Sequence, residues 1–159
     1  MSNTPLPSRL RIGSLIVLMG GLVPFLVSSI LFVAYVWSET HPSQPWLSGQ
    51  VLPHPESYTL DDIRAFNPEV ATDFVTAQHI ELVNVMNSGV VVAVLAWFGL
   101  RRYQRWSWYT LLFTALWPGL NDAAAVLAAH EPPAPVVGAV IVLFGLWLAH
   151  EPVFAGPPR

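Results

Sequence analysis

Cysteine is absent from this 159-residue chain, and so is lysine: all seven basic residues are arginines. The first absence excludes disulfides, thiolate metal ligands and thiol nucleophiles, and with them any redox chemistry on the protein's own sulfur. The second, together with a formal net charge of −3, leaves no basic surface for nucleic acid. Charge of either sign is scarce. Only 11% of residues are charged, against roughly a quarter in soluble domains, while 53% are hydrophobic. The sequence also has no glycine-rich phosphate loop, no internal repeat and no heptad zipper.

What the chain does have is four apolar runs, at 12–37, 76–100, 106–129 and 135–149. A helix rising 1.5 Å per residue must cover about 30 Å of hydrocarbon, so each run is a candidate span. The fourth is short and Pro152 is expected to stop it; it crosses if upright or if it begins near Pro133. Arg9 and Arg11 precede the first run and Val36-Trp37-Ser38 resembles a cleavage site. The run is nevertheless much longer than the roughly 7–15 residues of a signal core, so a retained anchor is expected. The expected fold is all-α, a single membrane domain forming a four-transmembrane-helix bundle.

Arginines fix the expected orientation. If the four spans alternate, Arg9, Arg11, Arg101, Arg102, Arg105 and Arg159 share one side and leave Arg64 alone on the other. The positive-inside rule then puts both termini and the RRYQR turn in the cytoplasm, with the chain in the cell membrane. Tyr35 and Trp37 at the outer end, and Trp97, Tyr103, Trp106, Trp108 and Tyr109 at the inner turn, suit aromatic belts. The outer segment 38–75 begins as a Pro, Ser and Gly-rich loop. Thr59 and Asp62 resemble a capping box for a short surface helix carrying Leu60, Ile63 and Phe66 on one side. Asn67-Pro68-Glu69 then reads as cap, first-turn proline and dipole-matched acid, the start of a helix that leads into the second span.

Polar residues interrupt the runs at matching depths. Glu81, Asn84 and Ser88 fall on one helical stripe with Asn87 beside them, and Thr110, Thr114, Trp117 and Asn121 on another, with Asp122 about 100° further round. Asn84 and Asp122 each lie about 10 Å below the outer boundary, at the depth of Ser28 and Ser29. A carboxylate there must face the bundle interior or a wet cavity, or become neutral. Pro118 deprives the Thr114 carbonyl of its partner, so a bend is expected at this level. These groups either hold helices together by hydrogen bonds or line an outward-facing pocket. Glu81, Asn84, Asn87, Asn121, Asp122, Ser28 and Ser29 are the candidate ligand-binding residues. His79 points about 200° away from Glu81, so the two form no local acid–base pair, and a haem shared by His79 and His130 is not expected. His41 and His54 are too loosely spaced for a metal site. No metal and no cofactor is expected.

The segments AFNPEVATDFVTAQH (65–79), RRYQRWSWYTLL (101–112) and WPGLND (117–122) resemble a pattern in uncharacterised small four-helix prokaryotic integral membrane proteins, across about half the chain. That resemblance implies topology and no chemistry. The plan is also similar to four-helix families of the sterol-isomerase and sigma-receptor-like group, whose pockets hold paired acids, although their motifs are not evident. The expected function is an accessory, scaffold or ligand-sensing subunit, more a non-enzyme than an enzyme. The alternative is a lipid- or sterol-like ligand binder or isomerase using Glu81 and Asp122 as acid and base. Thin soluble parts and a short fourth run suggest a protein partner or homo-oligomer in addition to the surrounding membrane lipid.

Overall fold

The computed structural model describes residues 6–40, 60–129 and 134–157; the side chains at 38–40, 60, 62, 63, 121, 122, 124–126, 128, 129, 134 and 135 lie outside that description. Every regular element among the described residues is helical. Helix α1 spans Ser8–Thr40, α2 Leu60–Phe66 and α3 Pro68–Val94; α4 spans Arg105–Ala129 and α5 Ala134–Ala155. A π-helical turn, Leu95–Gly99, and a 3-10 turn, Leu100–Arg102, carry α3 onward to the junction with α4. Among the described residues, three stretches are long and apolar enough to cross a membrane: Ser8–Trp37, Pro68–Arg102 and Val136–Ala155.

Two boundaries differ from expectation for physical reasons. Helix α1 begins at Ser8 rather than residue 12, with the N–H of Arg11 already donating to the Pro7 carbonyl at 3.0 Å. Counting apolar residues misses a charged first turn because arginine is a good helix former. Helix α5 does not stop before Pro152 but continues to Ala155. The proline removes one donor, leaving the rest of the ladder intact, and the N–H of Gly156 closes the last turn on the Pro152 carbonyl at 3.1 Å. Gly156 has φ 83°, a left-handed conformation open to glycine without a Cβ clash, and there the helix ends. Pro24 and Pro118 likewise lie inside continuous helices.

The described residues divide into two compact units, one made of those up to Phe25 with those from Asn87 onward, the other running from Leu26 to Met86. In the first, helices pack antiparallel. Leu10 and Val17 of α1, Val92 of α3, Leu111 and Ala115 of α4, and Val142, Leu146, Ala149 and Val153 of α5 form its core with Ala96 and Leu100 of the linking turns. Two contacts bring backbones together. A Cβ on Gly21 would stand 2.5 Å from the Gly89 carbonyl oxygen, and one on Gly13 2.6 Å from that of Gly145. Small residues permit this approach, which is how helices without a hydrophobic drive between them gain van der Waals contact. Most of the remaining apolar surface is exposed, including Phe113, Leu120 and Trp147.

In the same unit the N–H of Trp108 Nε1 donates to the Leu146 carbonyl at 2.9 Å, and Arg105 Nη2 to the Phe154 carbonyl at 2.8 Å. Arg9 pairs with Glu151 at 2.6 Å. The start of α1, the turn between α3 and α4 and the end of α5 therefore share one end of this unit. The turn itself is closed by backbone bonds: Tyr103 N–H to Leu100 and Gln104 N–H to Gly99. Tyr103 takes φ 57°, the left-handed cap of the 3-10 turn. The second unit holds the latter part of α1, α2 and the first part of α3, with Ala71 and Ser28 buried. Of the expected apolar side of α2, Phe66 has a described side chain and is 93% exposed.

Candidate functional site

The start of α3 forms as its sequence predicts. Asn67 Oδ1 accepts from the N–H groups of Glu69 at 3.0 Å and Val70 at 3.3 Å, capping donors that have no partner inside the helix. Thr72 and Thr76 hydroxyls donate to the carbonyls four residues back, at 2.9 and 2.8 Å. These hydroxyls are satisfied within α3 and leave its outward face to the residues that follow.

On that face, Asp73, Thr76, Glu81 and Asn84 are exposed, whereas Phe74, Val75, Gln78, His79 and Leu82 are half-buried. Further along the same helix, in the other unit, Asn87 and Ser88 are exposed while Gly89 is buried. Glu81 and Asn84 in the one unit, and Asn87 and Ser88 in the other, are thus exposed rather than packed. Ser28 is 5% exposed and Ser29 half-buried. Asn121 and Asp122 belong to the backbone of α4, and their side chains lie outside the described residues. Glu81, Asn84, Ser28 and Ser29 belong to one unit, Asn87, Asn121 and Asp122 to the other.

The expected second stripe divides differently. Thr110 and Thr114 donate to the carbonyls of Trp106 and Thr110, at 2.9 and 2.8 Å, so both hydroxyls are occupied by their own helix. Trp117 is 62% exposed and stacks on Phe113 with ring centroids 6.3 Å apart. His79 lies against Phe32, centroids 5.3 Å apart, away from the polar face as its helical position predicts. His130 lies outside the described residues, as do His41 and His54. Among the described residues, no three His, Asp or Glu side chains gather as metal ligands would. Two open grooves occur in the smaller unit: one of about 230 Å³ lined by Phe32, Val33, Val36 and Trp37, and one of about 430 Å³ lined by Pro68, Glu69, Thr72 and Asp73. Neither includes Glu81 or Asn84.

A second surface lies at the arginine-rich end of the larger unit. The Arg101 guanidinium lies 4.1 Å from the centre of the Trp97 ring, Arg102 5.7 Å from Phe98 and Arg105 5.5 Å from Phe154. Two of these pairs are four residues apart, a spacing that puts side chains on one helical face and was legible in advance. The third joins α4 to α5 and was not. No family model, curated protein or solved structure matches this chain.

Proposed function

We propose that this chain is a four-span membrane protein acting as an accessory or scaffold subunit rather than an enzyme, and that it associates through the polar stripe of α3. One observation carries the reading: Glu81 and Asn84 are exposed on a helical stretch long and apolar enough to cross a membrane. A carboxylate turned to hydrocarbon costs about 2.5–3.5 kcal/mol even on insertion scales, and asparagine there seeks a hydrogen-bonding partner. Another copy supplies one, since an asparagine side chain both donates and accepts and so complements itself.

The fourth span is supported by packing. Arg105 meets Phe154, Trp108 meets Leu146, and a Cβ on Gly119 would reach the Cβ of Ala139, so α4 runs antiparallel to α5 over about 21 Å at 1.5 Å per residue. This packing supports a crossing of α4 beside α5. Placement of the arginine-rich end in the cytoplasm follows the positive-inside rule.

Self-association is tested with chains carrying Ser8→Cys, labelled separately with donor and acceptor dyes and mixed in proteoliposomes. Resonance energy transfer that falls on lipid dilution with a measurable dissociation constant is expected, and Asn84→Leu should weaken it about five-fold. Transfer no greater than random proximity, or unchanged by that substitution, removes the association reading. A sterol-like ligand pocket predicts a different result: Glu81→Gln with Asp122→Asn would abolish binding of a labelled sterol while leaving association intact.

A further inference from the structure

We propose that the arginine-rich end of the larger unit is a binding site for the phosphate of an anionic phospholipid. Arg9, Arg11, Arg101, Arg102 and Arg105 all belong to it, and among the described side chains of this unit the one carboxylate is Glu151, already held by Arg9 at 2.6 Å. Four guanidinium groups therefore remain without an acid among the described residues. Three of them rest on aromatic rings, Arg101 on Trp97 at 4.1 Å, Arg102 on Phe98 at 5.7 Å and Arg105 on Phe154 at 5.5 Å. Ring contact restrains a flexible side chain while leaving its N–H groups directed elsewhere, and Arg105 spends one of them on the Phe154 carbonyl. The planar fork of the others matches phosphate oxygens.

Position selects a lipid over a free phosphate. Trp97 and Phe98 are 48% and 52% exposed, and they lie in the last turns of the membrane-crossing stretch Pro68–Arg102. Rings at such an end settle at headgroup depth, so the arginines they support stand level with lipid phosphates, and the adjoining apolar surface meets acyl chain. Basic groups on transmembrane helix ends recognise anionic headgroups in this manner.

The test is native mass spectrometry of the purified full chain, released from micelles containing equal amounts of phosphatidylglycerol and phosphatidylcholine. Preferential retention of phosphatidylglycerol is expected. Replacing Arg102 by Gln should lower that preference about five-fold, and Arg101→Gln with Arg102→Gln should lower it further, in line with the worth of each basic residue near an anionic surface. Trp97→Leu keeps every charge and should weaken retention by freeing Arg101. Arg64→Gln, outside this surface, should change nothing. Circular dichroism establishes that each variant keeps its helices; if the double variant does not, the Arg102 variant alone decides. Equal retention of the two lipids, or a preference untouched by Arg102→Gln, overturns the proposal. So does displacement of the lipid by excess glycerol 3-phosphate, which would identify a site for a free phosphate.

Discussion

Gly21 and Gly89 set how closely α1 and α3 approach, each presenting to the other a backbone oxygen that a methyl group would strike at 2.5 or 2.6 Å. Since the obstacle is backbone, no rotamer change relieves it, and the helices themselves would have to separate. Gly21→Ala is therefore expected to destabilise the chain by about 1–3 kcal/mol, as overpacking does. Gly138 is the contrasting case, because a Cβ there meets nothing within 4 Å. Gly138→Ala should stabilise α5 by up to about 1 kcal/mol through helix propensity. Thermal unfolding of the two variants in one detergent measures both; equal shifts of the same sign would contradict the packing described for α1 and α3. The distinction between the two glycines was not legible in the sequence, since it depends on which helix arrives opposite.

At the scale of the element, local chemistry was the most legible part of this chain. Asn67-Pro68-Glu69 announced the start of α3 because a cap needs only the residues beside it, and Asn67 Oδ1 does accept from two N–H groups. Asn67→Ala should cost about 1 kcal/mol, with loss of protection of the Glu69 and Val70 amides in hydrogen exchange as the local signature. Protection unchanged at both amides would mean the cap contributes nothing. The π-helical turn at Leu95–Gly99 had no such signal: the N–H of Leu100 reaches back five residues to the Leu95 carbonyl, and that of Gln104 to Gly99. The end of α5 differs from expectation because a proline removes one donor without ending the helix, which stops at Gly156. As to the candidate site, spacing located the stripe Glu81, Asn84 and Ser88 on one face of α3 but could not say which way that face turns. Orientation belongs to the packing of neighbours: in the larger unit Gly89, Val92 and Ala96 are buried while Asn87 and Ser88 are exposed.

For the molecule as a whole, the absence of cysteine makes sidedness measurable, since any thiol introduced is the only one. Ser8, Gln104 and Thr72 are all exposed and suit single Cys replacements. A membrane-impermeant maleimide should label Ser8→Cys and Gln104→Cys from the same compartment and Thr72→Cys from the opposite one. Labelling of Thr72→Cys and Gln104→Cys from one side would end the four-span arrangement. The contacts between α1 and α5 also bear on how the protein is made. Leu10, Val17 and Gly13 find their neighbours Val142, Gly145 and Ala149 on a helix translated far later, and Arg9 waits 142 residues for Glu151. During synthesis the face of α1 around Leu10, Gly13 and Val17 therefore stays uncovered until α5 has been made, and a chain truncated within α5 leaves that face open.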